Sequence, residues 1–312
     1  MSRGVLVLTG PTATGKTKLG VMLAQSLGGE VVSADSMQIY RGMEIGSAAP
    51  TREEMQGVPH HMLGFLDPSE PYSAGLYVAD ASRAVEDIMS RGRLPIIVGG
   101  TLLYIESLLA GRAFTGSDPE LRAALDAEYA SLGGEAMLER LRACDEASAA
   151  ALHPNDRKRI VRALEVFALT GKPKSALDEA SRAVPPRWKY VKLSLDFADR
   201  ADLYSRIDSR VDDMLARGLA AETQALLDAG VSENATSMQA IGYKELIPAL
   251  RGEIPLETAA EDIRRASRRY AKRQLSWLRG DGEVHRIIWD KSPDFARALR
   301  VSTDFALSAD IM

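Results

Sequence analysis

Apolar positions along this chain follow two alternating rhythms. Val5-Leu6-Val7-Leu8 is a short continuous apolar run, and comparable runs lie in Glu30–Ser33 and Leu94–Val98. Runs of this length, each closed by a turn-forming or small polar residue, predict buried strands. Between them the spacing turns helical, with Leu19, Met22, Leu23 and Leu27 on one face of Lys18–Leu27, and Ser73–Arg91 patterned likewise. Strand and helix in alternation predict a parallel sheet covered by helices. From about Asp118 to Gly171 the pattern is helical throughout. Pro119 is placed to open a first helix that Gly133-Gly134 ends, and Pro154-Asn155 to open another that Gly171 closes. Strand character returns at Tyr190–Phe197. Helices follow over Asp199–Ala229, broken near Gly218, then over Gly242–Leu250 and Leu256–Arg279, with a late strand at His285–Trp289. The last twenty or so residues carry no readable pattern. The predicted fold is α/β: a phosphate-loop parallel-sheet core with flanking helices, formed by residues 1–115 and 187–312, and a helical insertion domain at 116–186.

The first strand runs into Gly10-Pro11-Thr12-Ala13-Thr14-Gly15-Lys16-Thr17, which fits G-x-x-x-x-G-K-[ST] and leads into the first helix. That strand–loop–helix context is what a phosphate-binding loop needs. Glycines let backbone N–H groups approach phosphate oxygens, and the helix aims the positive end of its dipole at them. Lys16 adds a cation, and the Thr17 hydroxyl is placed to ligate Mg²⁺. A ligand carrying a di- or triphosphate is expected.

Composition narrows the setting. An apolar content of 46% and a charged content of 26% in 312 residues are those of a globular protein with a sizeable core. No apolar run approaches a membrane span, and the first strand begins too early for a secretion signal. Cys144 is the only cysteine, which excludes an internal disulfide and any multi-cysteine zinc site. A cytoplasmic location, no membrane partner and a monomer are expected. The net charge of −4 argues against nucleic acid, but it conceals a local excess. Arg264, Arg265, Arg268, Arg269, Lys272, Arg273 and Arg279 occur in sixteen residues without an acid, interleaved with Tyr270 and Trp277. Arg157, Lys158, Arg159 and Arg162 form a second cluster. Either is a solvated helix face or a surface for RNA, and aromatics among unpaired cations favour RNA.

In the predicted sheet, ligands sit outside the carboxyl ends of the strands. Asp35 and Thr101 follow the second and third strands, so both should converge on the phosphate loop. Asp35 can order a metal's water shell, accept a proton, or cap a loop. Thr101 can cap the following helix, touch a ligand, or both. His60-His61 is not expected to bind metal, because adjacent rings rarely face one ion and no partner has ligand spacing. Arg206 and Arg210 share a helix face; Asp202, one turn earlier, predicts an ordinary ion pair for Arg206 and leaves Arg210 without such a partner.

Taken together, these residues resemble the tRNA dimethylallyltransferase (tRNA isopentenyltransferase) family over nearly the whole chain. The resemblance is carried by the phosphate loop, by the segment from Ser33 to Met43, by Pro59-His60-His61 with Leu66-Asp67-Pro68, and by Pro95–Thr101. It continues through His153–Asp156 with Arg159-Ile160, Ser237–Glu245 and Tyr270–Gln274. Leu102 stands where many members carry Gly, and Ser276 where Thr is commoner. The resemblance implies transfer of the dimethylallyl group of dimethylallyl diphosphate to N6 of the adenosine 3′-adjacent to the anticodon, with release of pyrophosphate. It implies Asp35, Thr101 and Arg210 as catalytic residues, with residues 10–17 on the diphosphate and Mg²⁺ on Thr17. It further implies that Asp35, Ser36, Met37, Gln38, Arg159, Ile160, Val161, Arg162, Ala163, Arg268, Lys272, Arg273 and Gln274 contact the tRNA anticodon stem-loop. A nucleotide or small-molecule kinase and a non-catalytic RNA-binding NTPase are the alternatives. The first leaves the basic helix unexplained. The second leaves unexplained the apolar surroundings that an isoprenoid needs.

Overall fold

The structure, a computed structural model, describes residues 4–111 and 114–312. In chain order the first elements are β1 (Gly4–Thr9), α1 (Lys16–Leu27), β2 (Gly29–Ser33), α2 (Glu44–Ser47), α3 (Arg52–Met55), β3 (His60–His61), α4 (Ala74–Ser90), β4 (Leu94–Val98) and α5 (Leu102–Leu109). Four helices follow: α6 (Pro119–Arg142), α7 (Glu146–Ala151), α8 (Arg157–Thr170) and α9 (Lys174–Arg182). The chain then forms β5 (Lys189–Phe197), α10 (Arg200–Ala216), α11 (Leu219–Asp228), α12 (Tyr243–Leu250), α13 (Leu256–Arg279), β6 (Val284–Trp289) and α14 (Phe295–Ser308). It divides into two compact units, one of Met1–Leu109 with Trp188–Met312, the other of Ala110–Arg187. The second unit thus begins six residues earlier than the pattern suggested and ends one later.

The six strands of the first unit form one parallel sheet in the order β3-β2-β4-β1-β5-β6. Every residue of β1 is buried, because helices cover both faces. Alternation divides it between two cores. Leu6 and Leu8 join Leu19, Ile96 and Leu193 on one face, and Val5 and Val7 join Tyr77, Val85 and Ile105 on the other. A third core, around Met43, Val211, Met238, Tyr243 and Ile263, is built by α10–α13 and the loop after β2. Helix α13 contributes to all three through Ile263, Ala271, Leu275 and Leu278.

The final helix, α14, was not visible in the sequence pattern. Its Ala298 and Ala306 pack into the sheet core beside Phe295 and Phe305.

The second unit has its own core of Leu125, Met137, Leu141, Ile160, Val161 and Leu164. The Asp118 carboxylate accepts from the N–H groups of Glu120 and Leu121 and so caps α6, and Gly171 (φ 67°) ends α8. Gly133-Gly134 does not end α6 as expected. Gly133 alone leaves helical geometry (φ 81°, ψ 166°), and the helix resumes to Arg142. Glu165, fully buried, accepts from Arg122, Arg162 and the Asp118 N–H and ties α6 to α8.

Candidate active site

Three strand ends are laced together at the carboxyl edge of the sheet. The N–H of Ala34 donates to the Val98 carbonyl (2.8 Å), that of Gly99 to Leu8 (3.1 Å) and that of Thr101 to Ala34 (3.1 Å). This ladder brings the phosphate loop, Asp35 and the Gly99-Gly100-Thr101 turn to one place. A Cβ on Gly10 would meet the Leu195 carbonyl oxygen at 2.4 Å, so only glycine fits the start of the loop. Ala13 takes a left-handed φ of 65° and Gly15 one of 88°.

Residues outside the motif hold that shape. The buried Trp289 donates its Nε1–H to the Thr14 carbonyl (2.9 Å). Phe295 of α14 lies against the loop, where a Cβ on Gly15 would meet its ring at 2.8 Å. Arg206 does not pair with Asp202 as expected. Its Nε–H reaches the Ala13 carbonyl at 3.0 Å, and the guanidinium lies over the Phe197 ring. The sequence offered no local signal for the contacts to the loop, since each of those crosses more than a hundred and fifty residues.

Thr12, Ala13, Gly15, Lys16 and Thr17 line a first cleft of about 150 Å³ whose walls include Val31, Leu63 and Val98. Thr14 is buried behind it, donating its hydroxyl to the Pro11 carbonyl (2.8 Å). A second, more apolar cleft of about 290 Å³ is lined by Met37, Ile207, Val211, Met214, Ile241 and Ile263. The clefts share Thr12, Asp35, Ser47, Arg210 and Tyr270.

Asp35 therefore sits where they join. Its Oδ1 accepts from the Met37 N–H (2.9 Å), which fixes the carboxylate. Burial and the neighbouring Arg210 push Lys16 down to about 7, against the pull of Asp35. Burial also lowers Arg210, with Asp35 again opposing. Burial, reinforced by Asp35, raises Tyr270 to about 12. Two cations and one carboxylate thus share a poorly solvated site, an arrangement suited to neutralising an anion beside a proton acceptor.

Other predicted residues fall out differently. Thr101 lines neither cleft; its hydroxyl accepts from the Ser36 N–H (3.1 Å) and holds the loop bearing Asp35. Ser36 and Met37 line the second cleft and Gln38 the first, but the Gln38 amide is spent on Ser33 (2.8 Å) and the Ala48 carbonyl (3.2 Å).

On α13 the acid-free appearance of the basic run is misleading. Arg264 pairs with Asp212, Glu257 and Glu261, Arg265 with Asp262, and Arg268 with Asp208 at 2.6 Å. The acids lie upstream on α13 and on α10, outside the sixteen residues of the run. Arg269, Lys272 and Arg273 make no ion pair among the described residues and lie exposed on one flank. Gln274, expected on RNA, is instead buried and faces the first cleft.

In the second unit Ile160, Val161 and Ala163 are core residues, at most 2% exposed, and Ala163 also lines a cavity at the surface of that core. Arg159 and Arg162 line a cavity of about 340 Å³ together with Lys158 and Lys174. His60 and His61 form the edge strand β3, with His61 Nε2 at 2.8 Å from Glu30. Among the described residues no cluster of three His, Cys, Asp or Glu could hold a metal ion.

The chain is similar to known proteins. A family model described as IPP transferase matches residues 38–281. The chain is 48% identical to the tRNA dimethylallyltransferase of Geobacter sulfurreducens over 281 residues, 90% of each chain. It is 44% identical to that of Pelotomaculum thermopropionicum, covering 97% of this chain and 95% of that one. Among solved structures it resembles the full-length tRNA isopentenylpyrophosphate transferase of Bacillus halodurans (39% identity, TM-score 0.74, 99% and 97% of the two chains). It also resembles a eukaryotic dimethylallyltransferase described as acting on tRNA (31% identity, TM-score 0.83, 98% of this chain and 80% of that one). With the family model spanning most of the chain and such relatives matching nearly all of it, the chain belongs to the IPP transferase family.

Proposed function

We propose that this protein transfers the dimethylallyl group of dimethylallyl diphosphate to N6 of the adenosine 3′-adjacent to the anticodon in tRNA and releases pyrophosphate. The observation that carries this reading is the junction of two clefts at Asp35 and Arg210, one walled by a phosphate loop and one by aliphatic side chains. The donor's diphosphate occupies the first and the flipped adenine enters from the second, a base leaving its stack to reach a buried site. The C1–O bond of the donor breaks as the C1–N6 bond forms. Asp35 accepts the proton lost from N6, and the electron pair leaves on pyrophosphate, whose charge Lys16, Arg210 and the loop amides offset.

Thr17 lines the first cleft, and its hydroxyl has no hydrogen-bond partner among the described residues, which suits it to ligate Mg²⁺. The ion would neutralise diphosphate charge. RNA binds along Arg269, Lys272 and Arg273 of α13 and beside Arg159 and Arg162 of the helical unit. No helix of the described residues is long and apolar enough to cross a membrane. We place the protein in the cytoplasm, as a monomer. The deciding experiment incubates unmodified tRNA with the protein, Mg²⁺ and dimethylallyl diphosphate, and weighs the nucleosides. A prenylated adenosine is expected; unchanged nucleosides would overturn the reading.

A further inference from the structure

Gln274 belongs to α13, the helix with the exposed basic flank, yet its own side chain is 4% exposed and points away from solvent. Its amide is used at both ends. Oε1 accepts from the Thr12 backbone N–H at 3.1 Å, and Nε2 donates to the Gly100 carbonyl at 2.9 Å. These partners belong to the two sides of the first cleft. Thr12 is in the phosphate loop, and Gly100 precedes Thr101, whose hydroxyl holds the Ser36 N–H next to Asp35. The fit is close, since a Cβ on Gly100 would meet Nε2 at 2.3 Å. A glutamine that only filled space would leave its amide unpaired, a costly arrangement in a buried setting.

We propose that Gln274 is a positioning residue that ties the phosphate loop to the turn supporting Asp35, so that the seating of α13 sets the distance between leaving group and base. The proposal rests on the transfer reading of this same cleft. It links two functions of one helix: the flank at Lys272 and Arg273 meets RNA, and the next residue inward fixes the donor loop. Misplacing reacting groups by a fraction of an ångström lowers rate more than it lowers binding of a distant partner.

The test compares dimethylallyl diphosphate affinity by calorimetry, tRNA affinity by filter binding and the single-turnover transfer rate. Gln274→Met keeps the volume and removes both bonds. It is expected to weaken diphosphate binding about tenfold and slow transfer at least about tenfold, with tRNA affinity within about threefold of wild type. Gly100→Ala should give the same split by displacing Nε2. Gln274→Glu retains the acceptor for Thr12 but turns a carboxylate on the Gly100 carbonyl, so transfer should fall while diphosphate affinity stays nearer wild type. A Gln274→Met protein with diphosphate affinity and transfer rate both within about threefold of wild type would overturn the proposal, as would loss of tRNA affinity alone. Should that variant fail to fold, Gln274→Glu decides by its rate against the same threshold. A wild-type protein that neither binds nor uses dimethylallyl diphosphate refutes the transfer reading instead. The clamp is then scored with inorganic pyrophosphate as the probe, by the same tenfold loss or its absence.

Discussion

At the scale of single residues the site depends on partners distant in sequence. The loop motif could be read directly because its glycines, lysine and threonine are contiguous. Its supports could not: Trp289, Phe295, Arg206 and Gln274 come from four separate elements, and nothing in their local sequence marks them. Asp35 was legible through its place at a strand end, and Thr101 for the same reason. The finer role of Thr101 needed the geometry, since its hydroxyl holds the backbone N–H of Ser36 beside Asp35. Asp35→Asn is expected to abolish transfer while diphosphate binding survives, because the carboxylate's role is to take the N6 proton. Loss of a general base removes ~10²–10⁴ in rate. Single-turnover kinetics beside calorimetry check this, and a rate above about a third of wild type removes Asp35 from the role.

Elements carry a different set of consequences. The edge of the sheet is held by an ion cluster in which Glu30 of β2 meets Arg91 after α4 and His61 of β3. The Arg91 guanidinium, and secondarily His61, hold the Glu30 carboxyl down at about 2 despite its burial. A carboxyl that is more acidic folded than unfolded stabilises the fold fully above its unfolded value. The stabilisation declines as pH falls from about 4.5 toward about 2. The contribution is up to about 3 kcal/mol at neutral pH. Glu30→Gln should therefore lower stability at pH 7 by about 2–3 kcal/mol and flatten the acid limb between those values, as read by denaturant melts across pH. Equal loss at every pH would show that packing, not charge, is responsible.

Helix α13 shows how a charge run misleads. Three of its seven cations are answered by acids, some one turn upstream and some on α10, which a count within the run could not anticipate. Removing Lys272 and Arg273 together should reduce the slope of log affinity against log salt for tRNA by roughly 1.4, about 0.7 per contact. Arg268→Ala should leave that slope nearly unchanged, since Asp208 already engages it. Filter binding over a salt series distinguishes the two.

At the scale of the molecule, alternation of strand and helix was enough to specify a parallel sheet, because strands buried on both faces read as continuous apolar runs. What stayed illegible included the short elements α2, α3 and β3, the helices α9 and α14, and the true extent of α6, where a single glycine leaves helical geometry without ending the helix. The whole architecture also bears on which phosphate ligand is productive. A phosphate loop on a parallel sheet is equally the frame of a kinase, so the motif cannot choose the ligand. The space around it can. The first cleft holds about 150 Å³ and its walls beyond the loop include Val31, Leu63 and Val98. Sites for larger ligands enclose ~300–1,000 Å³. A diphosphate with a short branched tail suits such a space, and a purine edge left unpaired against those walls would cost ~1–3 kcal/mol for each polar group. Supplied separately with tRNA and Mg²⁺, dimethylallyl diphosphate should yield pyrophosphate and a heavier adenosine, and ATP neither. ATP-dependent phosphorylation of a small molecule, with no tRNA product from the allylic donor, would return the chain to the kinase reading. A transferase is expected because the apolar second cleft opens onto the same carboxylate, giving an acceptor base its own entrance.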